Sequence, residues 1–391
     1  MEMKFYKIGD LYTVSNGLSK SKAFFGQGYP FLTFSEVMNN FFVPDTLVSL
    51  VQTEIKEREK FSIHRGDIFL NRTSETADEL GISCVALKDY PNATFNGFCK
   101  RLRPIVEEVV PEYIGYYMRT NAFRKHMLAL TGSMITRASL RNEQLLSIEI
   151  ELPSKKNQLK IAHFLRQYDM LIDNCKKQIA LLEEAAQRLY REWFVDLRSP
   201  GHESTVLGDN GLPVEWKNVG ILDVYNIAYG KTLATKYITS SGTYPVYGSS
   251  KCIGYFDKKT VDDYKVLITS RGNAGTIHRT YHKESFVTNN SFIVTPKTEY
   301  DYISFSYIYY SLIALDLSRI VNGSAQQQLT NAMLENVRIF LPDKDLISEF
   351  GKICDKYIDK ANALYGIIEY CNEAKKSLIP RLISGQIEIN A

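Results

Sequence analysis

Two kinds of hydrophobic pattern alternate along the chain, and each occurs twice. Leu145-Leu146-Ser147-Ile148-Glu149-Ile150-Glu151-Leu152-Pro153 alternates apolar and polar positions, and 189 residues later Leu334-Glu335-Asn336-Val337-Arg338-Ile339-Phe340-Leu341-Pro342 does the same. Period-2 alternation puts one face in a core, and proline cannot donate the next ladder hydrogen bond. Each run therefore predicts a half-buried strand closing a globule. Thr131-Gly132-Ser133 is matched by Asn322-Gly323-Ser324, and Tyr29-Pro30 by Tyr244-Pro245. Ile68-Phe69-Leu70-Asn71-Arg72-Thr73-Ser74 is matched by Val266-Leu267-Ile268-Thr269-Ser270-Arg271-Gly272. The spacing between counterparts drifts, as loop insertions make it do. Most of these units are short β runs punctuated by Gly, Asn and Ser.

After each proline the period changes. Ile161, Leu165, Tyr168, Ile172, Cys175, Ile179, Leu182, Ala186, Leu189 and Trp193 step by four and three, and all are apolar or aromatic. Shifted by 189 residues, the same steps give Phe350, Cys354, Tyr357, Ala361, Leu364, Ile368, Cys371, Lys375, Leu378 and Leu382, broken only by Lys375. A 3.5-residue repeat held over four heptads predicts helices packed as a coiled coil. By register Lys375 faces the seam. Either its stem packs while the ammonium snorkels, or it meets an acid of the first helix or of a partner, and Lys375→Leu is expected to be neutral or stabilising.

The chain thus divides into a globule (1–153), a long helix with its linker (154–204), a second globule (205–342) and a second long helix (343–391). Pro200-Gly201 stops the first helix. About 40 helical residues span about 60 Å, so the helix holds the globules apart, and an antiparallel return lets the second stripe meet the first. The predicted fold class is α+β: two repeated, mostly-β globules separated by two long antiparallel coiled-coil helices, a dumbbell with a pseudo-twofold axis.

Length and composition agree with several domains and narrow the setting. A chain of 391 residues suits two or three domains. The start lacks an apolar signal segment, and no stretch of about 18 uninterrupted apolar residues follows, so export and membrane insertion are not expected. The six cysteines never fall two to four apart, which suggests neither a zinc pair nor a dense disulfide framework and fits a reducing cytoplasm.

A formal charge of +3 leaves the partner open, but local charge does not. Residues 99–141 hold eight Lys/Arg against three Glu, and residues 231–283 hold nine against three Asp, interleaved with Tyr, Asn, Ser and Gln. Cations contact phosphates, while amides, hydroxyls and forked arginines read base edges, and a duplex presents two half-sites to a repeated frame. The candidate DNA-binding residues are Lys22, Arg72, Thr73, Ser74 and Arg137 in the first globule. In the second they are Lys231, Lys236, Ser249, Lys251, Arg271, Asn273, Asn290, Gln326, Gln327 and Gln328. Arg72-Thr73-Ser74 and Arg271-Gly272-Asn273 are expected at matching places after a buried strand, where each arginine reads one half-site.

Catalytic motifs fail. Tyr229-Gly230-Lys231-Thr232 ends like a P-loop, but Tyr225 stands where the first glycine belongs. Phe25-Gly26-Gln27-Gly28 lacks the strand and acid of a cofactor turn, and no Asn-Pro-Pro-Tyr or Asp-Pro-Pro-Tyr run is present to hold a flipped base. Asp209 with Glu215-Trp216-Lys217 suggests a nuclease triad, yet Gly211 and Pro213 read as a turn. His278 and His282 form the one close histidine pair, on a basic loop without an acid ligand nearby.

Across its whole length the chain resembles the DNA specificity subunits of Type I restriction-modification systems. The most specific runs are Gln158-Leu159-Lys160-Ile161-Ala162, Leu189 through Glu203 and Leu378-Ile379-Pro380-Arg381-Leu382-Ile383-Ser384-Gly385. Gly211-Leu212-Pro213 with Trp216, Tyr244-Pro245-Val246-Tyr247-Gly248-Ser249 and Gly66-Asp67-Ile68-Phe69 are also similar. The resemblance implies a noncatalytic reader of split double-stranded DNA, one half per target-recognition domain, with the helices fixing the gap. It implies modification (methyltransferase) subunits as partners, joined in some systems by motor-nuclease subunits. S-adenosylmethionine, ATP and magnesium are then requirements of those partners, and this chain carries no cofactor. A methylation-only complex and an architectural coiled-coil protein without DNA selectivity are the alternatives.

Overall fold

Two four-stranded antiparallel sheets carry the fold, one in each of two units of the computed structural model. The structure describes residues 2–74, 79–130, 138–249, 251–321 and 328–389. The first unit comprises Met1–Ile172 and Tyr370–Ala391, the second Asp173–Glu369.

The strands of the first unit are β1 (Met3–Lys7), β2 (Tyr12–Asn16), β3 (Phe25–Leu32), β4 (Leu50–Val51), β5 (Ile68–Asn71) and β6 (Thr73–Ser74). They continue with β7 (Ser83–Val85), β8 (Thr94–Phe95), β9 (Cys99–Pro104), β10 (Ala138–Ser139) and β11 (Glu149–Pro153). Its short helices are α1 (Ile8–Leu11), α2 (Phe34–Asn39), α3 (Ile55–Lys60), α4 (Pro111–Tyr117), α5 (Asn121–Ala129) and α6 (Asn142–Leu146), followed by the long α7 (Lys155–Tyr190). In the second unit the strands are β12 (Lys217–Gly220), β13 (Tyr225–Tyr229), β14 (Tyr244–Tyr247), β15 (Cys252–Phe256) and β16 (Val266–Thr269). β17 (Ile277–Arg279), β18 (Phe286–Val287), β19 (Ser291–Pro296) and β20 (Arg338–Leu341) complete them, with helices α8 (Ile221–Val224), α9 (Phe305–Leu315), α10 (Asn331–Leu334) and the long α11 (Lys344–Ile383).

Strand order in the large sheets is β2-β9-β5-β7 and β13-β19-β16-β17, and in the three-stranded sheets β4-β3-β8 and β15-β14-β18. The apolar runs Ile68-Phe69-Leu70 and Val266-Leu267-Ile268 form β5 and β16, buried along their whole length because both faces are covered. Ile68 and Leu70 face the helices, whereas Phe69 faces a second cluster with Leu32 and Phe95.

The closing runs are shorter strands than the alternation predicts. Leu145 and Leu146 end α6, Leu334 ends α10, and the strands begin only at Glu149 and Arg338. Leu145 and Ile148, three apart, are both buried, so a helical turn satisfies the same apolar pattern. Each closing strand pairs antiparallel with the first strand of its unit, β1 with β11 and β12 with β20.

Every stripe position on α7 and α11, and Trp193 in the turn Arg191–Val195 that continues α7, is buried or half-buried. In the first unit Ile161 and Leu165 share a core with Ile379 and Leu382, and Asp169 meets Lys375. In the second, Tyr190 and Trp193 lie about 6 Å from Phe350, in a core with Ala186, Cys354 and Ile358. Within each unit the two helices therefore run antiparallel.

Lys375 does not snorkel. Its ammonium is bonded to the Asp169 carboxylate, which also accepts from the Tyr116 hydroxyl and lies 3.6 Å from Arg166. The ammonium also sits 5.1 Å from the Phe41 ring and 5.7 Å from that of Tyr116. With side-chain exposures of 9% and 14%, Lys375 and Asp169 form a desolvated pair, and the expectation of a harmless Lys375→Leu reverses. Lys375→Leu leaves a carboxylate with too few partners and is expected to cost about 3 kcal/mol, most of it recovered in Lys375→Leu/Asp169→Leu. Thermal melts of the three proteins decide this, and a Lys375→Leu single variant melting with the parent would refute it.

Candidate nucleic-acid interface

The candidate residues cluster where β5 and β16 leave the core. In the second unit Arg271 forms an isolated bridge with Gln328, and the Ser270 amide donates to the Asn290 carbonyl at 2.8 Å. The Thr269 hydroxyl donates to the Ser249 carbonyl. Lys231 is tied in by its amide on the Val287 carbonyl and by the Asn289 amide on its own. Arg271, Asn273, Lys231 and Lys251 are exposed, whereas Ser249, Asn290 and Gln328 are half-buried. Gly272, at φ 90°, takes the left-handed turn that carries the chain from Arg271 to Asn273.

Arg72, Thr73 and Ser74 hold the corresponding place in the first unit, with β6 paired to β10. The Ser74 hydroxyl donates to Glu79 at 3.2 Å. Lys22 and Lys236 lie apart from these groups on exposed 3-10 turns, Lys22–Phe24 and Thr235–Tyr237, where the Lys236 ammonium sits 4.9 Å from the Tyr237 ring. Arg137, Gln326 and Gln327 lie outside the described residues, as do Ser250, Thr131-Gly132-Ser133 and Asn322-Gly323-Ser324.

Backbone register corrects the match between the two arginines. The Leu140 amide donates to the Arg72 carbonyl, and the Leu329 amide donates to the Ser270 carbonyl, each at 2.9 Å. One step further, Thr73 pairs with Ser139 and Arg271 with Gln328. Arg72 is therefore the counterpart of Ser270, and Arg271 of Thr73. Side chains one residue apart on a strand point to opposite faces, so the two arginines present themselves differently.

The basic stretch of residues 99–141 is largely internal. Arg103 grips the fully buried Asp67 with bonds of 2.8 and 2.6 Å, and Arg101 donates to the Ser62 carbonyl. Arg119 donates to the carbonyls of Ser83 and Asn40, and burial pushes its guanidinium down to about 10. Arg279 of the second stretch is also buried, between Asn362 and Glu183. These arginines satisfy buried carbonyls and carboxylates.

Register also reveals positions that sequence reasoning missed. Asn16–Lys100 ends the β2–β9 ladder, and its counterpart at the end of β13–β19 is Tyr229–Phe292, with ring centroids 4.1 Å apart. Asn142 and Asn331 open α6 and α10 beside them. Phe98, 57% exposed, accepts the Arg72 amide just as Asn290 accepts that of Ser270. Only strand pairing brings these residues together, so no local run signals them.

Gly230, the glycine of the P-loop-like run, has a packing explanation. A Cβ there would lie 2.4 Å from the carbonyl oxygens of Val287 and Thr288. His282 lies between Glu369 and the Tyr247 hydroxyl. His278 Nε2 lies 3.0 Å from the Ser291 hydroxyl, whose proton is given to the Gly248 carbonyl, so His278 Nε2 carries the hydrogen.

The sequence model of the Type I restriction modification DNA specificity domain matches residues 1–184 and 213–369, which covers both β regions and most of both long helices. The chain belongs to this family. Its relatives include the Type I restriction enzyme MjaIX specificity subunit of Methanocaldococcus jannaschii, 24% identical over 99% of this chain and 93% of that one. The putative Type I restriction enzyme MjaX specificity subunit of the same organism is 23% identical over 97% and 92%. Among solved structures, the Type I S subunit of M. genitalium covers 100% of this chain at a TM-score of 0.58 and 15% identity, so the specificity-subunit fold is shared. No described helix is long and apolar enough to cross a membrane.

Within this specificity-domain framework His278 gives the second unit a defined acid sensitivity. Burial pushes its imidazole from the ordinary 6.5 down to about 4. Between these values the unfolded chain takes up a proton that the folded one refuses, so stability is full above pH 6.5 and falls as pH drops toward 4. Urea unfolding from pH 8 to 4.5 is expected to show this loss reduced in His278→Gln. Parallel pH curves for the two proteins would exclude the histidine as its source.

Proposed function

We propose that this chain is the noncatalytic specificity subunit of a Type I restriction-modification complex and reads a split DNA target, one half per unit. Partner subunits carry methylation and cleavage, together with any need for S-adenosylmethionine, ATP and magnesium. The observation that carries this reading is the conserved hydrogen-bond frame with exchanged side chains: Arg72 and Thr73 stand where Ser270 and Arg271 stand in the other unit. One scaffold displaying two sets of polar groups suits two half-sites of different sequence. Mapping methylated adenines in host DNA with the chain present and absent tests it. A two-part motif that depends on the chain is expected, and unchanged methylation would sink the proposal.

Arg271 is the base-edge reader of its half-site in this proposal, backed by Gln328, Asn290 and Asn273. Arg271→Ala is expected to weaken specific binding by about 1–3 kcal/mol and to relax one half-site only. Duplex selection with the variant reads this directly, and equal weakening on random DNA would assign Arg271 to phosphate instead.

The long helices set the gap in the same proposal. Seven residues added to α7 after Ile172 and to α11 before Tyr370 preserve both stripes and lengthen each helix by about 10 Å. At 34–36 Å per duplex turn that is about three base pairs. A target pool with randomised gaps is expected to yield a longer preferred gap with both half-sites intact. Retention of the parental gap would refute the ruler.

A further inference from the structure

Lys100 is a cation without an acid. It is 5% exposed, and its ammonium donates to Asn16 Oδ1 at 3.1 Å and to Asn142 Oδ1 at 2.5 Å. Among the described residues no carboxylate pairs with it, and burial, followed by the charge of another cation, Arg72, holds the ammonium below its usual range. Arg72 Nε is itself buried without a hydrogen-bond partner among the described residues. The Asn71–Cys99 pair and the Arg72 amide on the Phe98 carbonyl hold both cations at the end of the central strands.

The hydrogen-bond inventory of this rim decides what fits it. Both asparagine oxygens are spent on the ammonium, so their Nδ2 groups remain as donors, and Asn16 and Asn142 are exposed. The third ammonium hydrogen and the Arg72 guanidinium are donors too. Among the described residues the N–H groups left without a partner at this rim are donors and two groups carry positive charge, so the complementary ligand is an anion rich in acceptors. A base edge carries no charge, so even guanine, whose N7 and O6 both accept, leaves two adjacent cations uncompensated. A phosphate protrudes and carries only acceptors.

We propose that Lys100 and Arg72, with the amides of Asn16 and Asn142, hold one backbone phosphate of the bound duplex. The inference rests on the DNA-reading function and assigns Arg72 to positioning, apart from the base-reading Arg271. Among the described residues the second unit has no equivalent site, because the matching ladder pair is the aromatic Tyr229–Phe292.

Salt titrations of the full chain on its selected target and on a random-sequence duplex test the site. Lys100→Met, which keeps the stem and removes the charge, is expected to weaken both complexes several-fold and to lower the slope of log affinity against log salt by about 0.9, with the selected motif unchanged. Asn142→Asp gives the ammonium an acid from an exposed position. It is expected to raise the melting temperature and lower the slope likewise, whereas Gln144→Glu, a nearby exposed site with the same charge change, does neither. Parental slopes for Lys100→Met or, if that variant does not fold, for Asn142→Asp would overturn the site. Loss confined to the selected target would overturn the phosphate assignment. If the parent selects no bipartite target but Lys100→Met still lowers the slope on random duplex, the split-target reading falls and the phosphate site stands. A selected target with unaltered slopes has the opposite meaning.

Discussion

Neither β unit can close its core without turns from both long helices. Ile161 and Leu165 of α7 and Ile379 and Leu382 of α11 lie in the core of the first unit, among Ile68, Leu102 and Tyr113. Ala186 of α7, Trp193 in the turn Arg191–Val195 that follows it, and Phe350 and Cys354 of α11 lie in the core of the second, with Val266 and Tyr307. A coiled coil alone needs only an apolar seam, but here the outer shoulders of the helices are also buried, by sheets and short helices. Bending or unwinding a helix therefore exposes a globular core as well as the seam. Buried ions at these junctions add directional constraints to non-directional burial: Lys375 on Asp169 in one unit, and Arg279 between Glu183 and Asn362 in the other.

This division of labour frees the far ends of the strands. The frame is fixed by hydrogen bonds whose partners are backbone atoms, so side chains at the exposed ends can vary without changing it. Leu140 on the Arg72 carbonyl and Leu329 on the Ser270 carbonyl are the same bond in the two units, though an arginine stands in one and a serine in the other. The exchange of Asn16–Lys100 for Tyr229–Phe292 occurs at the same ladder end. The proposed reading of two unlike half-sites requires this separation of frame from reader.

Much of the architecture was legible because it depends on period. The 3.5-residue stripe, the apolar runs of β5 and β16 and the proline-ended strands each follow from spacing along the chain, and the repeat guards each reading with a second copy. The interface was legible only in part. Aligning Arg72 with Arg271 by residue type misplaced the pair by one, whereas the apolar runs, aligned Ile68 on Val266, set Arg72 against Ser270. The buried strand marks register, identity of side chain does not, and one residue reverses the face. The arginines at positions 101, 103 and 119 raised the apparent surface charge of the first globule, yet their partners are carbonyls and a carboxylate supplied by distant loops. Charge density in sequence cannot separate a cation that satisfies the interior from one that faces a ligand. Lys100 was hidden for the same reason: only the pairing of β2 with β9 puts Asn16 beside it.

An unpaired cation held near the surface is a costly arrangement, and the molecule shows how cheaply the cost can be avoided. Arg103, three residues along the same strand, has Asp67, and Lys375 has Asp169. At Lys100 the neighbouring polar residues are asparagines, each one atom replacement away from the carboxylate that would pair with it. Amides satisfy two of the ammonium's hydrogens while leaving its charge uncompensated, a distinction that matters only if something else supplies the negative charge. A core lysine selected for stability gains nothing from that choice. At the same ladder end the second unit places two aromatic rings in tilted contact, the solution expected when packing alone decides.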